Sequence, residues 1–336
     1  MKAVAYYQSL PIDHADALQD ITLPVPEVGA HDLLVAVRAI SVNPVDTKIR
    51  ANVAPESGQA KVLGWDVAGV VQQVGSAVSL FKPGDEVFYA GAINRAGANS
   101  ELHVVDERIV GRKPASLSFA EAAALPLTAI TAWELLFDRL KVAQGQAADG
   151  HLLIVGAGGG VGSILTQLAR QLSGVQVIGT ASRAETRDWV SALGAHAVID
   201  HSQPLLAQLK AQGIEAVQRV ASLTHTDQHV PQLVEVLAPQ GQLALIDDPV
   251  QLDIRALKQK SLSLHWEFMY TRSLFGTADM IEQHHLLNRV AELIDAGTLR
   301  TTLGEHFGQI NAANLRKAHA LLESGKSRGK IVLEGF

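Results

Sequence analysis

The sequence predicts an α/β protein of two domains, one an all-β, barrel-like unit and the other a doubly wound parallel sheet. Three observations support this. The chain has 336 residues, more than one ordinary core organises and suited to two. Short strand-like runs separated by turn residues occupy residues 1 to about 122. Beyond them strand and helix patterns alternate, as a parallel sheet covered on both faces requires.

In the first part the expected strands are Ala3–Tyr7, Leu33–Ile40, Val67–Val74, Glu86–Tyr89 and Leu102–Val105, with Lys82-Pro83-Gly84-Asp85 as a turn. The pattern changes at Ser118, which with Glu121 forms a capping box before alanine-rich helical sequence. Strands then follow at Leu152–Val155, Val175–Thr180, Ala197–Ile199, Ala216–Ser222 and Gln242–Ile246. Helices fall at 161–172, Ala184–Leu193 and around Val230–Leu237. Leu262–Tyr270 is a last strand or an approach to one, and Met280–Ala296 and Ala312–Glu323 are helical. Lys330–Leu333 is a terminal strand, and the C-terminal part is expected to return to the first domain.

Composition excludes several chemistries. The chain contains no cysteine, which removes disulfides, cysteine-ligated zinc and a thiol nucleophile together. A formal charge of −6 without a basic block gives no footprint for nucleic acid. The N-terminus lacks a secretory apolar core, and the apolar run Leu152–Leu165 is too short and glycine-rich to span a bilayer. The expected place is the cytoplasm. Two polar clusters, His225/Asp227/His229 and His284-His285, are ordinary loop and helix composition, so no metal site is expected.

The stretch His151–Leu172 carries the strongest functional signal. An apolar strand runs into glycines from Gly156 to Gly162, and Val161, Ile164, Leu165, Leu168, Ala169 and Leu172 then share one helical face. A helix N-terminus offers unpaired N–H groups and partial positive charge, and side-chain-free backbone lets a diphosphate approach. Gly156, Gly159, Gly160, Val161 and Gly162 are therefore the expected dinucleotide contacts. Ser163-Ile164 after the last glycine rules out a hydrolase-type phosphate loop, which needs Lys-Ser or Lys-Thr there. A methyltransferase cofactor is the nearer rival. At the end of the second strand stand Ser182, Arg183 and, one turn on, Arg187, with no acid. A carboxylate there would favour NAD or the methyltransferase cofactor, whereas arginine accommodates the 2′-phosphate, so the expected cofactor is NADPH. The competing reading makes Ser182 and Glu185 a capping box with Arg183 merely exposed.

Over most of its length the chain resembles the medium-chain dehydrogenase/reductase superfamily. The resemblance rests on Asn43-Pro44-Val45-Asp46, Gly64-Trp65-Asp66-Val67-Ala68-Gly69-Val70-Val71, Val74-Gly75, Phe81–Val87, Ala122–Trp133, the glycine turn, Leu193-Gly194-Ala195 and Val198-Ile199-Asp200. It implies a GroES-like catalytic domain from residues 1–122 and 265–336 and a Rossmann domain from 123–264. Zinc members carry ligands where this chain has Asn43, Trp65 and Leu127, and only Tyr89–Ser100 stands where their structural-zinc lobe would be. The branch that remains resembles quinone oxidoreductases and enone reductases. It implies hydride transfer from NADPH to a quinone or the β-carbon of an α,β-unsaturated carbonyl, without zinc.

On that resemblance the catalytic candidates are Asn43 for positioning, Lys48 as a proton source and Trp65 as a pocket wall, with Asp46 an organiser of its loop. Asn before Pro also closes turns, and Lys48 beside Arg50 also suits a solvated face. The resemblance places Thr128 near the nicotinamide, His201 near the adenosine phosphate, and Ser222 and Ile246 at the strand ends where such cofactors lie. It puts Glu267–Arg272 at the return to the catalytic domain and implies a homodimer. The other functions left open are an NADPH-binding sensor or structural protein, and alcohol oxidation without metal.

Overall fold

The computed structural model describes residues 1–145 and 150–336. The chain divides into two compact units, one formed by Met1–Ile130 with Tyr270–Phe336 and the other by Thr131–Met269.

The first unit opens with β1 (Lys2–Tyr6), β2 (Gln19–Thr22), β3 (Asp32–Val42), α1 (Pro44–Asn52), β4 (Lys61–Val62) and β5 (Asp66–Val74). It continues with β6 (Glu86–Ala90), β7 (Leu102–Asp106), β8 (Val110–Arg112), α2 (Phe119–Ala123) and α3 (Pro126–Trp133). Strands β2-β1-β4 form a small sheet. The eleven-residue β3 is the spine of the larger one: it pairs antiparallel with β5 along one edge and with β7 along the other. Register shifts within the β3–β5 ladder bend it, and nearly every β3 side chain is buried, as inside a barrel wall.

The second unit alternates β9 (His151–Val155), α4 (Gly160–Leu172), β10 (Gln176–Thr180), α5 (Ala184–Ala192), β11 (Ala197–Ile199) and α6 (Leu205–Lys210). Then come β12 (Val217–Ser222), α7 (Thr226–Val236), β13 (Leu237–Leu245) and β14 (Ser263–Trp266). The sheet order is β11-β10-β9-β12-β13-β14, parallel throughout. Counted within this sheet it is the 3-2-1-4-5-6 order of a dinucleotide fold. Leu153, Ile178, Val220, Leu233 and Leu243 lie in the core beneath it.

The chain returns to the first unit through α8 (Thr271–Phe275), α9 (Glu282–Asp295), β15 (Leu303–His306), α10 (Ala312–Glu323) and β16 (Lys330–Glu334). Strand β16 pairs antiparallel with β3, Ile331 opposite Val42 and Leu333 opposite Ile40, extending the edge that β7 occupies further along.

The structure departs from sequence expectation at identifiable places. The first division falls after Ile130, not 122, because α2 packs on β3, β5 and β16. The second falls at Tyr270 rather than 265, because β14 hydrogen-bonds to β13. Asn43-Pro44 opens a helix instead of closing a turn: Pro44 takes the first helical position, where its missing N–H costs nothing. The expected Ser182–Glu185 box does not form; α5 starts at Ala184, so Arg183 is the N-cap and the spacing falls out of phase. Helix α6 carried too short a pattern to be read. The stretch Phe119–Arg139 is long and apolar enough to cross a membrane by composition, but 83% of its apolar window is buried within the protein.

Two buried histidines illustrate opposite solutions to burial. His103 meets the Tyr89 hydroxyl through Nδ1 at 2.9 Å and donates from Nε2 to the Ala96 carbonyl at 3.0 Å. His319, on α10 where it packs on α1, is fully buried and neither ring nitrogen meets a protein partner. Burial, aided by the Arg50 guanidinium, pushes its pKa down to about 3. An unfolded histidine titrates near ~6.5, so below that pH the unfolded state binds the extra proton and stability falls until about pH 3. His319→Leu is expected to gain about 2 kcal/mol over the parent between pH 8 and pH 5 in denaturant titrations. A gap that stays constant with pH would refute this account.

Candidate active site

In the second unit, β9 ends at Val155 and Gly156 turns the chain with φ +81°, a conformation that L side chains resist. Gly159 is the N-cap of the thirteen-residue α4. A Cβ on Gly162 would lie 2.5 Å from the Gly156 carbonyl oxygen and 2.6 Å from Ala157 Cα, so only glycine lets α4 approach the turn this closely. At Gly159 a Cβ would meet nothing nearer than the Gly156 carbonyl at 3.6 Å, which leaves backbone open to a ligand. Gly160, Val161 and Gly162 form the first turn of α4, whose leading N–H groups point at that space. A diphosphate fits this cradle.

The neighbouring strand ends are tied to the turn. Thr180 Oγ1, at the end of β10, accepts from Gly156 N–H at 3.2 Å and meets His201 Nδ1 at 3.2 Å. Next to Thr180 come exposed Ser182, half-exposed Arg183, 3.9 Å from Glu185, and exposed Arg187, whose Nη2 donates to the Val198 carbonyl at 3.5 Å. A cavity of about 330 Å³ is lined by Val155, at the end of β9, and by His201, Ser202, Thr224, His225 and His229. That is the lower end of the range for small-molecule pockets. Burial, more than any neighbouring charge, lowers the pKa of His201 and of His229. Their rings meet edge to face, centroids 6.0 Å apart. Neutral imidazoles suit a flat heteroaromatic ring.

Ser222 is fully buried, and its hydroxyl lies 2.7 Å from Thr226 Oγ1, which donates in turn to Asp247 at 2.5 Å. This chain joins the carboxyl ends of β12 and β13, with half-buried Ile246 directly after β13.

In the first unit, four segments far apart in sequence converge on one buried cluster. Asp66, at the start of β5 and wholly buried, accepts from Leu127 N–H at 2.7 Å through Oδ1, satisfying an otherwise orphan donor at the α3 N-terminus. Its Oδ2 accepts from Asn43 Nδ2 at 2.8 Å and from Lys330 Nζ at 2.9 Å. Lys330 also donates to Asn43 Oδ1 and, at 3.2 Å, to the Val42 carbonyl. Both ends of the Asn43 amide are thus engaged within the protein. Asp46 accepts from Asn43 N–H at 2.6 Å and Gly64 N–H at 2.9 Å. Burial, opposed by these bonds and by Lys330, pushes its pKa up to about 7.

Trp65 is 1% exposed, donates Nε1–H to the Ala92 carbonyl at 3.2 Å and packs edge to face on Tyr270, centroids 6.4 Å apart. Tyr270 is buried as well, and burial, with the Asp46 and Asp66 charges, raises its hydroxyl pKa. Thr128 is buried on α3 and donates to the Leu125 carbonyl at 3.1 Å. Lys48 is on the exposed face of α1, opposite buried Asp46 and Arg50, and outside the Asn43 cluster.

The donor set does not fit zinc. Trp65 and Leu127 offer no ligand, and both Asp66 oxygens already accept protein donors. Among the described residues no group of three or more His, Asp or Glu side chains could hold a metal ion. His284 instead donates Nδ1–H to the Val110 carbonyl at 2.6 Å and accepts from Asn288 at 2.9 Å. Lys330 is the residue that sequence reasoning missed. A lysine opening the strand Ile331-Val332-Leu333 looks like an ordinary solvated strand end, and only the β16–β3 pairing brings it to Asn43.

Comparison with known proteins agrees with the fold. A family model of alcohol dehydrogenase GroES-like domains matches residues 29–131, and one of zinc-binding dehydrogenases matches residues 193–333. A zinc-type alcohol dehydrogenase-like protein of Staphylococcus epidermidis is 37% identical over 336 residues, 99% of either chain. A crystal structure of a Rhizobium etli protein, provisionally named a zinc-dependent alcohol dehydrogenase, is 56% identical. Its TM-score is 0.96, covering 100% of this chain and 98% of that one. Escherichia coli quinone oxidoreductase, solved in complex with NADPH, is 25% identical with a TM-score of 0.84, over 99% of this chain and 100% of that one. The chain is an oxidoreductase-fold protein of the medium-chain dehydrogenase/reductase superfamily, in its zinc-type alcohol dehydrogenase-like and quinone oxidoreductase branch.

Proposed function

We propose that the protein is a zinc-independent, NADPH-dependent oxidoreductase that passes hydride to quinones or α,β-unsaturated carbonyl compounds. One observation carries the reading: in a chain that keeps the glycine turn, the positions of the zinc ligands hold Asn43, Trp65 and Leu127, joined around a lysine–carboxylate pair. NADPH, when bound, supplies the hydride. The α4 N-terminus would take its diphosphate, and Arg183 and Arg187 its 2′-phosphate, with His201 near the adenosine phosphate as the resemblance implies. Ser222 and Ile246 would complete the cofactor site at the strand ends, and the resemblance assigns Thr128 to the nicotinamide. Trp65 stiffens the substrate wall, Asn43 positions the cluster around it, and Lys48 supplies a proton to the reduced product. The quinone oxidoreductase solved with NADPH supports this choice of cofactor and acceptor. The half-exposed Trp266 on β14, an edge of the six-stranded sheet, supports a homodimer formed there.

NADPH oxidation with a panel of quinones and enones tests the activity. Turnover is expected to stay within about twofold after chelator washing, since no donor set depends on zinc. NADPH binding without turnover on any acceptor would instead favour a sensing or structural role. Stoichiometric zinc in a washed, active preparation would refute metal independence.

A second test addresses the cofactor. Removing two charge-assisted contacts to a phosphate, Arg183→Ala with Arg187→Ala is expected to raise the Kd for NADPH at least ~10-fold. The Kd for NADH should stay within about twofold; equal losses for both nucleotides would refute the phosphate role.

A further inference from the structure

Lys330 stands 287 positions from Asn43 in sequence, yet their side chains are in contact. It is 3% exposed, and its ammonium has three protons for the acceptors it meets: Val42 O at the end of β3, Asn43 Oδ1 at the N-cap of α1, and Asp66 Oδ2 at the start of β5. Through Oδ1 of the same carboxylate the connection reaches Leu127 N–H on α3. The segments joined are those carrying Asn43, Trp65-Asp66 and Leu127, where the zinc members of the superfamily carry their ligands.

We propose that Lys330 is a positioning residue for the reaction, its buried ammonium cross-linking in this chain the segments that a metal cross-links in the zinc members. The inference rests on the metal-free reductase reading and adds to it the group that makes the site rigid without a metal. Unlike a metal, the ammonium has no open position for substrate, because its donors are spent on protein oxygens. Its effect is exerted through Asp66 on the neighbouring Trp65, and through Asp66 Oδ1 on Leu127 and the adjoining Thr128. The register of β16 on β3 is part of the device. Slipping by one residue would turn Lys330 to the opposite face of the sheet and leave Asp66 without its cation. Buried ion pairs are often replaceable by well-packed apolar side chains without loss of stability, so the proposal assigns this pair to the arrangement it specifies.

The test compares Lys330→Met with the neutral pair Lys330→Met/Asp66→Asn in steady-state kinetics, thermal melting, NADPH titration and amide hydrogen exchange. Lys330→Met strands a buried carboxylate and is expected to lower both Tm and kcat. The double variant removes the stranded charge and is expected to recover Tm to within a few degrees. Its kcat with the preferred quinone or enone should remain at least ~10-fold below the parent, while the Kd for NADPH stays within ~2-fold. Parental kcat and acceptor KM in the double variant would overturn the proposal, since the pair would then be structural only. Should the parent turn over no acceptor, the reductase reading fails, and exchange judges Lys330 separately. In both variants the Gly64 and Leu127 amides are expected to exchange at least ~10-fold faster, with the Gly156–Leu172 segment unchanged. Parental exchange at those two amides overturns the proposal.

Discussion

Asp66 is wholly buried, and its surroundings in the first unit are arranged to make that tolerable. A buried carboxylate left to itself would protonate or unfold its surroundings. Here one oxygen faces the N-terminus of α3, whose leading N–H groups carry partial positive charge, and the other receives an amide and an ammonium. Each donor arrives on a different element, so satisfying one charge fixes α1, β5, α3 and β16 together. Asp46 extends the arrangement by holding Asn43 N–H and Gly64 N–H. Gly64 adopts φ +97°, and a Cβ there would fall 2.2 Å from the Asn99 amide oxygen. The turn bearing Trp65 is therefore specified by a glycine and two carboxylates.

Much of this architecture was legible in the sequence because it rests on local patterns. Strand β9, the glycine turn and α4 form one continuous signal, and the capping box at Ser118 and Glu121 is present in the structure with its reciprocal bonds. The features that escaped depend on pairing between distant segments or on a shift of one residue. Lys330 has no local mark, since its role exists only once β16 lies against β3. The Ser182–Glu185 spacing was a plausible cap, but α5 begins one residue further on. Asn43-Pro44 was ambiguous because Pro serves both turns and first helical positions, and Asp46, which accepts from Asn43 N–H, is what selects the helix.

The second unit presents a different arrangement, a helix N-terminus and a glycine turn beside two partly buried histidine rings. Helix α4 supplies direction and partial charge, and the glycines supply approach. The histidines add ring surface without charge, since burial keeps His201 and His229 from protonating readily. Thr180 links the two ends by accepting from the glycine turn and meeting His201.

The crossing of β16 onto β3 has a consequence for how the protein is made. Asn43 and Asp66 leave the ribosome long before Lys330 is synthesised, and domains assemble in the order the chain emerges. Through that interval the nascent first unit lacks its last strand, and its carboxylate has no cation. Hydration of that region until the C-terminal strand arrives keeps the charge affordable, so the first unit closes after the second has been synthesised.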